Sequence, residues 1–162
     1  MKFKSQPAPH ISFYETTRTL MINVITTLLI LYGISFFYYG TRALVLGALG
    51  FTVGLLVDWL GSMLGRKKIN ARDLSGAVTG LLIPLMLPAS IPFYVPIIAI
   101  IFALLVAKHP FGGTGNNIFN PAAAGVAFAI VAFPSMVFSY PIPRAPLPIF
   151  PGPELATVSS PL

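Results

Sequence analysis

The chain alternates long apolar runs with short charged punctuation, and the runs have the length of membrane spans. Thr19 to Tyr39 is 21 residues without a charge, and a helix needs about 20 to cross a bilayer. Ala43 to Leu64 is a second run, interrupted only by Asp58, and Gly40 to Arg42 leaves room for no more than a tight hairpin between the two. Leu74 to Ala107 carries no charge for 34 residues, too long for one straight span, and Pro84, Pro88, Pro92 and Pro96 punctuate it. Proline removes a backbone donor and kinks or breaks helices. The pattern therefore predicts a hairpin: a short helix Leu74 to Leu87, an outer turn near Pro88 to Pro92, and a returning helix to Ala107. A fifth helix, Pro121 to Phe138, starts with proline in its first turn, where proline is tolerated. From Ser139 to Leu162 there are seven Pro in 24 residues, which predicts an extended, outward-facing segment.

The expected class is an all-α membrane protein with five transmembrane or broken helices. It would form one half of an inverted-repeat, transporter-like fold. The expected division is a cytoplasmic segment over 1–18, a five-helix membrane domain over 19–138, and the proline-rich segment over 139–162, after which a longer protein would continue.

Composition supports this reading. Residues are 56% hydrophobic and 9% charged, where a soluble domain carries about a quarter charged. That excludes an ordinary globular enzyme, and a disordered chain would be poor in apolar residues. With no Cys there are no disulfides, thiolate-held clusters or Cys zinc sites. The net charge of +6 does not indicate nucleic acid, because the basic residues sit at the ends of apolar runs: Lys2, Lys4 and Arg18; Arg42; Arg66, Lys67, Lys68 and Arg72; Lys108; Arg144. By the positive-inside rule the N-terminus and the basic loop Gly65 to Arg72 are cytoplasmic, the Arg42 turn lies outside, and Lys108 marks a second cytoplasmic end.

Three features carry candidate chemistry. The loop Phe111-Gly112-Gly113-Thr114-Gly115-Asn116-Asn117-Ile118-Phe119-Asn120-Pro121 combines glycines that bend freely with three carboxamides and a helix N-terminus. It is either a tight turn with an Asn cap or a polar binding corner in an apolar setting, with Thr114, Asn116, Asn117 and Asn120 as its hydrogen-bonding groups. It lacks the spacing of a nucleotide fingerprint. The second feature is Asp73 to Pro84, where Asp73 suits a helix start and Gly76 and Gly80 form a close-packing face. Ser75 and Thr79 share one side of that helix, so it is either a capped, packed helix or the lining of a cofactor or ion site. The third is Asp58, the one carboxylate well inside a span. Intramembrane carboxylates default to function, which makes Asp58 an ion-pathway candidate. A structural ion pair with a snorkelling Arg66 or Lys67 is the alternative. His10 and His109 lie outside helix interiors and make a poor haem pair. No Ser–His–Asp arrangement can be drawn, so neither catalytic residues nor a metal site are expected in this chain.

The second motif, followed by Phe111-Gly-Gly-Thr-Gly-Asn-Asn-Ile-Phe-Asn-Pro-Ala, resembles the RnfD family of the Rnf electron-transport complex. NqrB of the sodium-pumping NADH:quinone oxidoreductase belongs to the same family. The resemblance runs from about Ser5 to the end of the chain. It implies a membrane flavoprotein subunit of a redox-driven pump, multi-pass in the cell inner membrane, that moves sodium or protons. In the Rnf type, electrons pass between ferredoxin and NAD. The implied fold has two inverted five-helix repeats. The implied cofactors are FMN, esterified through its phosphate to a threonine, and often riboflavin. The implied partners are other membrane subunits and flavin and iron–sulfur subunits, in a lipid bilayer and without nucleic acid. The family's FMN threonine lies in a Ser-Gly-Ala-Thr-Pro-Leu-like motif on the outer side. Here Leu155-Ala156-Thr157-Val158-Ser159-Ser160-Pro161-Leu162 occupies that place. The Ala-Thr is missing, and Thr157 is the nearest threonine; either it substitutes or the sequence is interrupted there. Such a subunit would bind its flavin through Thr114, Asn116, Asn117, Asn120, Ser75 and Thr79. The alternative function is half of a small-solute channel or transporter without redox chemistry, since fold does not fix function; a purely structural subunit is a third.

Overall fold

The computed structural model describes residues 16–64, 73–113, 115–144 and 147–149, and the backbone of the strand at 157–159. Two long helices open the chain, α1 (Thr17–Tyr39) and α2 (Thr41–Leu64). At 23 and 24 residues they extend about 35 Å at 1.5 Å per residue, enough for a hydrocarbon core of about 30 Å. Gly40, with φ 68°, makes the reversal between them and ties its N–H to the Phe36 carbonyl at 2.8 Å. A side chain would be strained at that φ, so the tight hairpin depends on this glycine.

The uncharged run folds as the proline pattern predicts, into α3 (Ser75–Met86), a turn through Pro88 and Pro92, and α4 (Tyr94–Leu105). Each of these helices has 12 residues, about 18 Å, so α3 alone reaches little more than halfway through a bilayer. A 3-10 turn, His109–Phe111, follows α4, and with it the segment Tyr94–Phe111 is long and apolar enough to cross. The fifth helix is shorter than expected. α5 (Pro121–Ala132) stops at Phe133, and a four-residue α6 (Pro134–Val137) follows. The break has a local cause: Pro134 disfavours helical backbone at the residue before it, and Phe133 adopts φ −134°, ψ 52°. The proline-rich segment supplies a two-stranded antiparallel pair, β1 (Ser139–Pro141) with β2 (Thr157–Ser159), in register Tyr140 to Val158.

α4 lies at the centre. Val95, Ala99, Ile100, Ala103 and Leu104 are buried against Ile83 of α3 and Val126 and Ala129 of α5. α1 is peripheral and buries only Leu28 and Tyr32. The hydroxyl of Tyr32 is satisfied there by donating a 2.8 Å hydrogen bond to the Leu81 carbonyl.

The closest approach is between α2 and α3. A Cβ on Gly50 would strike the Gly80 carbonyl, and one on Gly54 the Gly76 carbonyl. Two glycine pairs, four residues apart on each helix, bring the backbones into contact. Gly54→Ala is therefore expected to destabilise the full-length protein by about 2 kcal/mol through overpacking. Gly33→Ala, on an open face of α1 with nothing within 4 Å, is expected to be neutral or mildly stabilising. Thermal unfolding of the solubilised protein separates the two; equal midpoints would refute the glycine contact.

Candidate functional site

The glycine seam carries a polar cluster at one end. Asp58 lies one helical turn beyond Gly54, and a side chain at Gly76 would collide with it. Antiparallel α3 and α4 have similar lengths, so the start of α3 and the end of α4 lie side by side. Ser75 and Lys108 meet there. Lys108 Nζ donates to Asp58 Oδ1 at 2.6 Å and to Ser75 Oγ at 2.6 Å. Ser75 Oγ in turn donates to Asp73 Oδ1 at 2.8 Å, and the Ser75 N–H donates to the same oxygen at 3.1 Å. Thr79 Oγ1 donates back to the Ser75 carbonyl at 3.0 Å. Lys108 is 2% exposed and Asp58 4%. A buried pair like this is tolerated only with good geometry and supporting hydrogen bonds, and both are present.

The structure gives Asp58 a partner that its sequence neighbours do not suggest. Arg66 and Lys67 lie outside the described residues; the counter-charge comes from Lys108, 50 residues along the chain. Lys108 does not mark a solvated end, because its ammonium is turned inward. His109 joins it, with Nε2 3.1 Å from Asp58 Oδ1. The contact is close enough for electrostatic attraction but does not meet hydrogen-bond geometry, and Nδ1 is buried without a partner among the described residues. Asp73 keeps its expected place at a helix start, although Leu74, with φ 61°, occupies the capping position itself.

The glycine–asparagine corner begins directly after this cluster. Gly112, Gly113 and Gly115 all have positive φ, at 103°, 85° and 93°, so all three are required by the turn. The Lys108 carbonyl accepts from the Gly113 N–H at 3.2 Å, and the His109 carbonyl from the Gly112 N–H at 3.1 Å. Asn117, its amide nitrogen turned toward two carbonyls, donates to Lys108 at 3.3 Å and Gly113 at 2.9 Å. Asn120 caps α5 by accepting from the Ala122 N–H at 3.0 Å. Two of the three carboxamides thus hold the corner together, and Asn116 is exposed. The corner is open: Ile118 and Phe119 are 69% and 63% exposed. Thr114 lies outside the described residues.

Thr157 is elsewhere. Its strand pairs with Pro141, and Ser90 in the α3–α4 turn donates to the Ser139 carbonyl at 2.6 Å. That places β1 and β2 at the N-terminal end of α4, opposite the corner. Tyr140 and Pro141 help line a cavity of about 190 Å³, together with Tyr32, Ser35, Tyr39 and Pro88. The structure therefore brings Asp58, Ser75 and Thr79 together, groups Asn116, Asn117 and Asn120 beside them, and leaves Thr157 at the far side. Two functional candidates were missed, Lys108 and His109. The signal for them was the hairpin itself, which sets the residues ending α4 beside those starting α3.

A second buried cation stands at the far end. Arg42, expected only to mark an outer turn, is 0% exposed. Its Nε donates to the Ala89 carbonyl at 2.6 Å, Nη2 to Ser90 at 3.1 Å and Ile91 at 2.9 Å, and Nη1 to Pro148 at 2.9 Å and Ile149 at 3.1 Å. The guanidinium lies 5.1 Å from the centre of the Phe93 ring.

Known proteins with similar sequences are subunits of ion-translocating oxidoreductase complexes. The D component of the ion-translocating oxidoreductase complex of Shewanella piezotolerans is 34% identical over 147 residues, which is 88% of this chain and 41% of that protein. The D component of the Na(+)-translocating ferredoxin:NAD(+) oxidoreductase complex of Acetobacterium woodii is 33% identical over 132 residues, covering 82% and 42%. The corresponding protein of Haemophilus ducreyi is 31% identical over 140 residues, covering 85% and 40%. The chain thus spans about two fifths of the length of the curated relatives it matches. Residues 4–161 match the family described as NQR2, RnfD, RnfE, and with its multi-pass helical build the chain belongs to that family.

Proposed function

We propose that this chain is part of a membrane subunit of an ion-translocating electron-transport complex of the Rnf type. The observation that carries the reading is the match to the NQR2, RnfD, RnfE family over nearly the whole chain. The buried Asp58–Lys108 pair on a broken-helix hairpin is in keeping with it, because ionisable groups inside a membrane bundle mark ion routes and their gates. The other membrane, flavin and iron–sulfur subunits of such a complex are its partners. The chain alone is not active. It lies in the cell inner membrane with its N-terminus and the basic stretch 65–72 on the cytoplasmic side, which puts the Asp58 cluster toward the cytoplasm and the β1–β2 pair outside. The ion is sodium or a proton.

A covalent FMN, with riboflavin as a second flavin, forms part of this reading. FMN supplies one- and two-electron transfer when bound; this chain supplies its attachment and walls. Thr157 suits the attachment by position, since β2 joins β1 beside the cavity lined by Tyr140, Pro141, Tyr39 and Ser35. The corner fits less well as an enclosed slot, because Asn117 and Asn120 are already engaged and Ile118 and Phe119 face outward. We read Asn116 and that apolar rim as one wall of a site that polypeptide beyond this chain completes.

The test is the full-length subunit purified in its complex. A flavin-fluorescent band on a denaturing gel, lost in Thr157→Val, is expected, together with redox-driven ion uptake into vesicles. A complex without flavin would refute the redox reading. Uptake of a neutral solute by the subunit alone would favour a channel instead.

A further inference from the structure

Among the described residues the imidazole of His109 is the one buried side chain whose nitrogens the fold leaves unsatisfied. Its side chain is 8% exposed, and Gly61 of α2 makes room for it, because a Cβ there would run into the ring. A glycine kept open for a histidine, whose two nitrogens then find no hydrogen bond among the described residues, is costly unless the ring moves or changes its proton count. The charged groups acting on it are Asp58 from α2, Asp73 before α3 and Lys108 after α4; the basic stretch 65–72 lies outside the described residues. Asp58 Oδ1 already holds the Lys108 ammonium at 2.6 Å. The single carboxylate oxygen that His109 approaches therefore has a full counter-charge. A proton added at Nδ1 finds no acceptor among the described residues and brings a second cation beside Lys108.

We propose that His109 is a proton-binding site that latches the glycine–asparagine corner to α2. In the neutral form the ring stays against Gly61 and Asp58. On taking up a proton it leaves for solvent, and the 3-10 turn goes with it. The turn carries the corner, because the carbonyls of Lys108 and His109 anchor Gly112, Gly113 and Asn117. The ligand is a proton, and the response is opening of the loop between α4 and α5. This holds whether or not the protein carries flavin or moves ions.

The test is hydrogen–deuterium exchange of peptides covering 109–120 in the full-length protein within its complex, corrected for intrinsic chemistry, from about pH 8 to pH 5.5. Exchange is expected to rise on acidification, by up to about tenfold per pH unit for one proton, while peptides from α1 stay flat. His109→Gln, which keeps an amide near Asp58 but cannot titrate, is expected to abolish the pH dependence. Gly61→Ala, which expels the ring and leaves the histidine in place, is expected to show raised exchange already at pH 8. A flat wild-type profile, or a profile shared by the wild type and His109→Gln, would overturn the proposal. Neither result bears on whether a flavin is attached.

Discussion

Lys108→Met is expected to cost the folded protein about 3–5 kcal/mol, the cost of leaving a buried charge without its partner. The substitution keeps most of the side chain's length and apolar stem, so the loss reports the ammonium. Asp58, 4% exposed, would keep a carboxylate facing the Gly76 backbone and the His109 ring. Ser75 Oγ would lose its 2.6 Å donor. Asp58→Asn is expected to be damaging for the mirror reason, because it strands the ammonium. The double substitution Asp58→Asn with Lys108→Met removes both charges and is expected to recover much of the loss, since a matched apolar replacement of a buried pair is often tolerated. Thermal unfolding of the four proteins closes a double-mutant cycle. Additive losses would show that the two residues do not act as a pair. The double variant is also informative for function: if it folds like the wild type but no longer drives ion uptake, the pair serves the ion route as well as the fold.

Much of the architecture was legible because membrane helices announce themselves by length. α1, α2 and the α3–α4 hairpin fall within a few residues of the apolar runs and proline positions that predict them. The error at the fifth helix was local, since the restriction that Pro134 places on Phe133 outweighed an apolar run that continues past it. Gly76 and Gly80 were readable as a packing face, but their partners Gly50 and Gly54 were not, because α2 reads as one long span whichever side its glycines take. The charges were the least legible. Asp58 and Lys108 are 50 residues apart, and chain-local reasoning paired Asp58 with its nearest basic neighbours. The rule that places Lys and Arg at membrane ends treats them as topology markers. Lys108 and Arg42 do stand at the ends of helices, yet both are turned inward and neutralised by polar groups from distant segments. The corner was legible as a turn built from glycine and capped by asparagine.

Arg42 gives the second large effect. Its five N–H donors reach five main-chain carbonyls, three in the α3–α4 turn and two in the proline-rich segment. Among the described residues no carboxylate contacts it, so the bond dipoles of the carbonyls and the face of Phe93 do the neutralising. The reason for a guanidinium is geometric: a planar fork with five fixed donors can join two segments that cannot pair with each other. Prolines cannot donate, and the turn and the outward segment are both rich in them. Arg42→Met is expected to destabilise by about 3 kcal/mol or more, because it leaves five partly buried carbonyls without a donor. Arg42→Lys keeps the charge but offers three donors at one point, and should recover less than half of that. Among the described residues the hydrogen bonds that still tie the proline-rich segment to the helices are then Ser90–Ser139 and Arg144–Tyr38, with the Arg144 guanidinium over Phe37 and Tyr38, so limited proteolysis of the solubilised protein should cut after residue 141 many times faster in Arg42→Met than in the wild type. Equal cleavage rates and equal melting points would mean that the turn and the segment hold their positions without the clamp. If the segment is released, β2 loses its fixed place beside β1, whose Tyr140 and Pro141 line the cavity. Under the proposed flavin reading, attachment at Thr157 then falls in Arg42→Met, although no hydrogen bond joins Arg42 to either strand among the described residues.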